Sequence, residues 1–459
     1  MLQASDRRNF LATSGLTAGG LLMADMLPAL ADSDNNENRR PPNVVLIISD
    51  DQRWTDFGFM DHPVIKTPRL DRLASESAVF PNGYVPCSLC RASLATILTG
   101  LWASQHQICC NDPPRGVDRA RMHPFIRNAP ALPRLLRAAN YRSLQTGKFW
   151  EGHFQNAGFT SGQTTNTDRH IARRTPQIGR RTMQPIYDFI DANRTNPFMV
   201  WYAPMMPHKP HNPPPEYLRC YNRGRDINIA KYYAMCQWFD ETCGQLLDHI
   251  ERRELTNNTL VLFVVDNGWV QPTRQQQRAL RSPFGGARGK RSPYDGGVRT
   301  PLMIKWPGHT RAGRYNDLVS TVDIAPTVLR ACGREVPNKM YGKSLLDVAA
   351  GRGRLNRNAV FGEIYEHDCG ELGRPRMDIT FRWIRKGDWK LIVPAQGNNI
   401  ELFNLARDPH ERTNLAAQNE DKVRELRQDL EQWWTRLGRE NQNRERGTGN
   451  REQGTGNNE

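Results

Sequence analysis

The sequence lacks an apolar run long enough to cross a membrane as a helix. Its most apolar stretch, Leu11 to Leu30, is interrupted by Gly19, Gly20 and Asp25, and no later run approaches the length that a bilayer requires. We therefore predict no membrane anchor. The chain is not disordered either, because 38% of its 459 residues are hydrophobic and strand-like segments alternate with helix-like ones.

The cysteines lack the spacing that is typical of a structural zinc site. The chain has nine of them, an odd number, and no C-x-x-C is matched by a second pair or by histidines at zinc-ligand spacing. Cys87 and Cys90 form one C-x-x-C, and a redox pair is one interpretation, but no thioredoxin-like βαβ pattern surrounds it. We expect the adjacent Cys109 and Cys110 to be structural or inert.

Acidic residues are too few to balance the basic ones. The chain has 63 Lys and Arg against 48 Asp and Glu, a formal net charge of +15. Residues 1–31 and 439–459 are each neutral overall, so the excess belongs to the folded body, where it raises the local concentration of anionic ligands. Nucleic acid, acidic polysaccharide and anionic lipid all fit this charge, and so does a basic surface with no dedicated partner.

The N-terminus has the pattern of an export signal. Arg7 and Arg8 resemble a twin-arginine signal, the apolar stretch follows them, and Ala29-Leu30-Ala31 supplies a small-x-small cleavage site. An ordinary amphipathic helix is the alternative. We interpret residues 1–31 as the signal peptide of an exported protein, periplasmic or extracellular, and the polar residues 32–42 as a linker.

Four apolar runs that end in polar residues predict neighbouring strands of one sheet. The first run, 43–49, is β-branched without alternation, which is typical of a strand covered by helices on both faces. The runs and their polar followers are 43–49 with Asp50 and Asp51, 141–146 with Lys148, 197–202 with His208, and 259–265 with Asp266 and Asn267. Because ligands gather beyond the carboxyl ends of strands in α/β sheets, we expect these side chains to converge in one cleft.

The pattern of predicted strands and helices changes beyond Gly353, which predicts a second, smaller unit. Runs 379–385 and 389–393 indicate a hairpin, residues 401–403 a further strand, and residues 420–437 a helix. We therefore divide the body into a main α/β domain, 43–353, and a β+α subdomain, 354–438. Residues 439–459 repeat Asn-Arg-Glu-x-Gly-Thr-Gly-Asn and are expected to be disordered.

Two pairs of oxygen-bearing side chains at strand ends suggest a cation site. Asp50 and Asp51 follow one strand, and Asp266 and Asn267 follow another. Oxygen-only ligand sets suit Ca²⁺ or Mg²⁺ and disfavour zinc. A single Asp-Asp pair is more often a turn or a helix cap, and spacing alone leaves both interpretations open.

The stretch from Cys90 to Gly100 resembles the signature of the sulfatase family, C-x-[PA]-S-R followed by four residues and T-G. Aligning Thr99-Gly100 with the closing T-G puts Cys90 at the nucleophile, which a separate enzyme of the family's hosts oxidises to formylglycine. Leu94 stands where the motif has the Arg that guides this modification. A rival alignment starts at Cys87 and leaves T-G three residues too late, so we favour Cys90.

Further segments from Pro42 to Leu437 resemble the family in the same order. The resemblance implies four calcium ligands, two sulfate-binding lysines and a histidine that contacts the sulfate and the leaving oxygen. These are Asp50, Asp51, Asp266 and Asn267, then Lys148 and Lys290, then His208. Trp150 occupies the position of a further family histidine, so that role is lost or has moved, with His153 as the candidate.

The resemblance implies an alkaline-phosphatase-like α/β fold, with a central mixed, mostly parallel sheet flanked by helices and a small C-terminal antiparallel-sheet subdomain. It implies a sulfuric-ester hydrolase with one Ca²⁺ per chain. In that chemistry the cation and the two lysines neutralise the sulfuryl group, and one hydroxyl of hydrated formylglycine attacks sulfur while the other later expels sulfate. His208 would protonate the departing alcohol.

The expected partners are a sulfated carbohydrate or another sulfate ester, and a formylglycine-generating enzyme, but no nucleic acid. Two alternatives stay open at this point. One is a phosphate or phosphonate monoester hydrolase of the same superfamily, since fold does not fix function. The other is an inactive binder of sulfated polymers, left without catalysis because position 94 is not Arg.

Overall fold

A mixed sheet of nine strands runs through the part of the chain that the computed structural model describes, which is residues 40–165, 178–269 and 288–452, with side chains as far as Gly438. The predicted signal peptide and most of the predicted linker lie outside these residues. The strands are β1 Asn43–Ser49, β2 Ala78–Tyr84, β3 Arg142–Gly147, β4 Ser161–Gly162, β5 Phe198–Ala203, β6 Thr259–Val265, β7 Arg299–Lys305, β8 Gly313–Arg314 and β9 Val319–Ser320.

The four strands predicted from the apolar runs lie side by side. The order across the sheet is β4-β3-β5-β1-β6-β7-β2-β8, with β9 also paired to β2. β3, β5, β1 and β6 are parallel. β7 is antiparallel to both β6 and β2, so β2 again runs in the direction of β6. The carboxyl ends of β1, β2, β3, β5 and β6 therefore share one edge with the start of β7.

Helices cover both faces of this sheet. The helices of the described residues are α1 Pro68–Ser75, α2 Cys90–Thr99, α3 Ala103–His106, α4 His123–Asn128, α5 Leu132–Arg137, α6 Gln184–Ala192, α7 Pro215–Leu218, α8 Ile227–Arg252, α9 Asp295–Val298, α10 Ile324–Ala331, α11 Leu346–Ala349 and α12 Glu420–Glu452. None of the described helices has the length and apolar character needed to cross a membrane.

Strand β1 shows why its sequence is apolar without alternation. Val44 and Leu46 pack into the core on one face, together with α2, α5 and α10. Val45 and Ile47 pack into a second core on the opposite face, with α1, α6 and α8. Successive side chains of a strand point to opposite faces, so a strand between two helical layers must be apolar at every position.

A second sheet carries the C-terminal part of the chain. It is antiparallel in the order β10-β11-β12-β13, with β10 Ala359–Tyr365, β11 Ile379–Lys386, β12 Trp389–Pro394 and β13 Glu401–Asn404. Helix α12 packs against it through Leu426, Leu430, Trp433 and Leu437, spaced by one turn each. This arrangement confirms the predicted fold class: a mostly parallel α/β sheet and a small antiparallel sheet.

Helix α12 extends beyond Gly438 and ends at Glu452, and residues 453–459 lie outside the described part. Residues 439–446 are rich in Arg, Glu and Gln, which are strong helix formers, and contain no proline. The predicted division of the chain into domains and a disordered tail stays a prediction.

A buried ion-pair cluster joins the two sheets. Lys390 on β12 has a fully buried side chain, and its Nζ lies 2.8 Å from both Asp295 Oδ1 and Glu411 Oε1. Asp295 begins α9, directly before β7 of the main sheet. Burying three charged groups is costly unless each is paired, so the cluster fixes the position of the second sheet on the first.

We expect Lys390→Met to lower the free energy of unfolding by about 3–5 kcal/mol, because the change removes the cation paired with buried Glu411 and leaves Asp295 with Arg299 alone at 3.5 Å. Urea denaturation measures this loss. The matched control is Lys386→Met on the adjacent strand: Lys386 Nζ pairs with Glu425 and Asp429, but its side chain is 29% exposed. The control is expected to cost under about 1 kcal/mol. Equal losses in both variants would contradict the role assigned to Lys390.

Candidate active site

The polar side chains that follow the parallel strands meet at one edge of the sheet. Asp50 follows β1, Lys148 follows β3 and Asp266 follows β6. Lys148 Nζ lies 2.5 Å from Asp50 Oδ1 and 3.3 Å from Asp266 Oδ2. The backbone holds the strand ends in register, since Asp266 donates its N–H to the carbonyl of Ser49 over 2.9 Å. All three side chains are buried.

Gly147 allows Lys148 to reach this cluster. Its φ is +70°, in the left-handed region, and a Cβ at this position would lie 2.1 Å from the carbonyl oxygen of Ala203. Only glycine combines that backbone angle with such a close approach. The end of β3 therefore packs directly on the end of β5, and the Lys148 N–H donates to the same carbonyl over 2.6 Å.

Gly268 has the same function in the Asp266-Asn267-Gly268 segment. A Cβ at Gly268 would lie 1.7 Å from the carbonyl oxygen of Gly296, and the Gly268 N–H donates to the Gly297 carbonyl over 2.9 Å. The loop before β7 can thus lie against the end of β6. This contact brings the segment that carries Lys290 to the same edge of the sheet.

Cys90 faces this group of charged side chains from the first turn of α2. Lys290 Nζ lies 2.8 Å from Cys90 Sγ and 2.5 Å from Asp51 Oδ1. Cys90 Sγ lies 3.8 Å from Asp51 Oδ1 and also 3.8 Å from Asn267 Nδ2. Asp51 has a φ of +60°, a conformation that aspartate tolerates better than most residues. The site therefore has a cysteine at its centre, with carboxylates, an amide and a lysine around it.

His208 lies where the site opens to solvent. Its Nε2 is 3.5 Å from Asp51 Oδ2, and its side chain is 21% exposed. Its Nδ1 lies 2.6 Å from the carbonyl oxygen of Lys209, which can only accept a hydrogen bond, so Nδ1 carries a proton. The imidazole is thereby oriented with Nε2 toward the site.

The carboxylates form a cluster that suits a cation. Single ligand atoms of Asp50, Asp51, Asp266 and Cys90 all lie within 4.8 Å of one another. Among the residues that the structure describes, Asp50 Oδ2 and Asn267 Oδ1 are buried without a hydrogen-bond donor. Buried acceptors of this kind are rare in proteins unless a donor or a metal ion satisfies them. The residues present therefore fit a hard divalent ion.

The protonation states reflect burial and the competition between like and unlike charges. Burial raises the pKa of Asp50 to about 6 and that of Asp266 to about 7, although Lys148 opposes both shifts. Burial acts in the same direction on Asp51, but the charges of Lys290, His208 and Lys148 outweigh it and lower the pKa of Asp51. A further positive charge bound beside these three carboxylates would stabilise their ionised forms.

Burial also changes the titration of the cysteine and the histidine. It raises the pKa of Cys90 to about 11, against the attraction of Lys148 and Lys290, so the thiol is protonated at neutral pH. Burial lowers the pKa of His208 to about 4, against the attraction of Asp51. The imidazole of His208 is therefore neutral at pH 7.

The structure brings together all eight residues that the sequence singled out, and it distinguishes the two cysteines of the C-x-x-C. Cys90 faces the charged cluster, whereas Cys87 packs in an apolar cluster with Leu89, Ala92 and Tyr365. Leu94, at the position of the motif Arg, lies one turn after Cys90 and is buried in the main core. His153 accepts the Gln155 N–H at the start of a short helix, and its ring packs at a tilt against Phe154. That it takes over the role of the family histidine stays a prediction.

Sequence reasoning missed two arginines that hold the site in place. Arg91 pairs with Glu151 through two hydrogen bonds of 2.7 Å, and it anchors the first turn of α2 beside Cys90. Arg180 donates to the backbone carbonyls of His208 and Pro210 over 2.8 and 3.0 Å. No pattern in the sequence indicated that Arg91 or Arg180 would hold the site in place.

Comparison with known proteins agrees with this geometry. Residues 42–333 match the family model named Sulfatase, and residues 286–439 match the model described as N-sulphoglucosamine sulphohydrolase, C-terminal. Human N-acetylgalactosamine-6-sulfatase is 27% identical over an alignment of length 442, and the match covers 82% of each chain.

Two solved structures have the same fold. Ps i-CgsB superposes with a TM-score of 0.71 at 22% identity, over 86% of this chain and 93% of the other. BT4656, in complex with its substrate D-glucosamine-2-N,6-O-disulfate, superposes with a TM-score of 0.70 at 19% identity, over 87% and 98%. The family model spans well over half of the sequence, and so this chain belongs to the sulfatase family and is a sulfuric-ester hydrolase.

Proposed function

We propose that the protein hydrolyses sulfate esters of carbohydrates, with a formylglycine made from Cys90 as the nucleophile and one bound Ca²⁺. The observation that carries the proposal is the position of Cys90, whose Sγ lies 2.8 Å from Lys290 Nζ and within 4.8 Å of oxygens from three carboxylates. A sulfate ester needs neutralisation of its negative charge at the reacting centre, and this arrangement places the Lys290 ammonium group directly beside residue 90.

Asp50, Asp51, Asp266 and Asn267 would hold the calcium ion. All four offer oxygen, which favours Ca²⁺ over zinc, and two of the oxygens are buried acceptors without a donor among the described residues. When bound, the ion would polarise the sulfuryl oxygens of the substrate and lower the barrier to attack.

Lys148 and Lys290 are the residues we propose for binding the sulfate group. Both ammonium groups are held in place by carboxylates, Lys148 by Asp50 and Lys290 by Asp51, so little conformational freedom is lost when substrate binds. Burial opposes their charge, but the neighbouring carboxylates outweigh it and raise the pKa of both lysines. Each therefore stays cationic at neutral pH.

His208 is the residue we propose for proton transfer to the leaving oxygen. Its Nδ1–H is held by the Lys209 carbonyl, and Arg180 fixes the same backbone segment. Its Nε2 is thereby directed toward the site at the side that opens to solvent, where the alcohol of the substrate would lie. Because the neutral imidazole carries its proton on Nδ1, Nε2 would first take a proton from solvent and then pass it to the departing oxygen. Bond breaking is helped when a proton reaches the departing oxygen during the step.

Formylglycine would supply a hydroxyl nucleophile together with a second hydroxyl that allows sulfate to be expelled without attack by water at sulfur. The surroundings of residue 90 suit such groups, because Lys290 Nζ, Asn267 Nδ2 and Asp51 Oδ1 provide two donors and an acceptor. The proposal includes a formylglycine-generating enzyme as a partner of this chain.

A sulfated carbohydrate is the substrate class that we propose. Human N-acetylgalactosamine-6-sulfatase and BT4656 carry sulfated sugars in their descriptions. The net charge of +15 also suits a polyanionic ligand. We further propose that the protein is exported, on the evidence of the twin-arginine-like pattern in residues 1–31, which lie outside the described part.

Changing the nucleophile tests the proposal directly. We expect Cys90→Ala to lower kcat on 4-nitrophenyl sulfate by at least about 10³-fold, because the attacking group is lost. Cys87→Ala is the matched control and should keep kcat within a few-fold, since this neighbouring cysteine packs away from the site.

Mass spectrometry of the peptide that contains Cys90 is the companion measurement. In active protein from the native host, residue 90 is expected to have lost sulfur and two hydrogens and gained oxygen. An unmodified thiol in active protein would contradict the formylglycine proposal, and an unmodified thiol in inactive protein would favour a binder of sulfated polymers.

Calcium is expected to stabilise the folded protein. At free Ca²⁺ about 100 times its Kd, binding adds about 2.7 kcal/mol to the free energy of unfolding and raises Tm relative to EDTA-treated protein. Asp266→Asn should abolish this rise. Asp240→Asn, which changes a buried carboxylate that caps α1, should keep it. A calcium-dependent rise that persists in Asp266→Asn would refute the proposed ligand set.

A comparison of the rates of aryl sulfate and aryl phosphate hydrolysis distinguishes a sulfatase from a phosphatase. Phosphate monoesters carry close to two negative charges at pH 7, and the three carboxylates of the site disfavour the second charge. We expect kcat/KM for 4-nitrophenyl sulfate to exceed that for 4-nitrophenyl phosphate by at least about tenfold. The opposite ranking would favour a phosphate or phosphonate monoester hydrolase.

A further inference from the structure

Three cysteines and an aspartate, distant in sequence, meet in a second buried cluster. Ligand atoms of Cys109, Cys110, Cys369 and Asp378 all lie within 4.8 Å of one another, and all four residues are buried. Cys109 Sγ is 3.4 Å from Cys110 Sγ, and Cys110 Sγ is 3.6 Å from Asp378 Oδ2. This cluster has no part in the chemistry proposed for Cys90.

We propose that these four side chains form a tetrahedral site for one Zn²⁺ ion, separate from the calcium site. A zinc ion with Zn–S bonds of about 2.3 Å and a Zn–O bond of about 2.0 Å separates two sulfurs by about 3.8 Å and a sulfur from an oxygen by about 3.5 Å. The observed separations are close to both values. Thiolate and carboxylate together are a ligand set that zinc accepts and calcium does not.

The orientation of Asp378 supports a metal ligand. Its Oδ1 accepts the Gly370 N–H over 2.8 Å, which leaves Oδ2 directed at the Cys110 thiol. A second hydrogen bond of this kind commonly fixes the ligands of metal sites.

Zinc is bound by thiolates, so binding is coupled to the loss of the thiol protons. The ion would form three Zn–S bonds, to Cys109, Cys110 and Cys369, and one Zn–O bond, to Asp378, and any thiol proton would pass to solvent. No oxidant or reductant is needed.

A disulfide is the competing occupant of this cluster, and the geometry favours zinc. A disulfide between Cys369 and either neighbour uses two of the three sulfurs, and it gives no role to the third thiol or to Asp378. A metal ion uses all four groups.

The site would connect the two sheets beside the catalytic cysteine. Cys109 and Cys110 follow α3, whereas Cys369 and Asp378 lie between β10 and β11 of the second sheet. The Cys110 carbonyl accepts from Arg91 over 3.3 Å, and the next residue, Asn111, accepts the Arg91 N–H over 3.0 Å. Zinc would thus stabilise the loop that supports the first turn of α2.

Cobalt substitution in the full chain tests the site without relying on activity. We use Cys90→Ala as the background, so that the thiol of the calcium site cannot contribute. Co²⁺ bound by three thiolates is expected to give a sulfur-to-metal charge-transfer band, and Zn²⁺ should displace it at one equivalent. In this background, Cys369→Ser should lose the band, whereas Cys332→Ser, a buried cysteine outside the cluster, should keep it.

A second variant guards against misfolding of Cys369→Ser. Asp378→Asn keeps all three thiols and is expected to lower the affinity for Zn²⁺ by about 10-fold or more, with unchanged circular dichroism. Absence of the band in folded protein of the Cys90→Ala background would overturn the proposal. So would persistence of the band in Cys369→Ser, or a disulfide between Cys369 and Cys109 or Cys110 in non-reducing mass spectrometry.

Discussion

The whole active site depends on how three buried carboxylates are balanced by positive charge. Asp50, Asp51 and Asp266 lie so close together that burial and mutual repulsion would leave some of them protonated. Lys148 and Lys290 supply two of the charges that make the ionised form stable. The remaining oxygens without donors call for a third cation. The same features that make this cluster costly to bury make it strongly attractive to a divalent ion.

The parallel sheet makes such a cluster possible. Residues from β1, β3, β5 and β6 are far apart in sequence, yet their strand ends lie side by side because each strand pairs in register with the next. The backbone groups of these ends hydrogen-bond to one another, as Asp266 does to Ser49. The cost of gathering like charges is thus offset by the stability of the sheet and of the two packed cores, and the side chains lose little further freedom on binding.

The residues that follow strands could be predicted from the sequence, because an apolar run that ends in polar residues is a local pattern. Asp50, Lys148 and Asp266 were predictable for that reason, and Cys90 was predictable because Thr99-Gly100 fixes its position on α2. Contacts between distant loops were not predictable. The spacing of the cysteines predicted no zinc site, yet Cys369 lies beside Cys109 and Cys110, because hairpin geometry in the second sheet and not spacing determines where residue 369 lies.

The leucine at position 94, where the family motif has arginine, does not leave the folded site without a positive charge beside Cys90. Residue 94 lies one turn after Cys90 and packs in the main core, where a guanidinium would need buried partners that the surrounding apolar side chains do not offer. The positive charge next to Cys90 comes instead from Lys290, at 2.8 Å. Arg91, one residue after Cys90, is committed to Glu151 and to backbone carbonyls, where it anchors the helix. The folded pocket therefore has a positive charge beside Cys90 without an arginine at position 94.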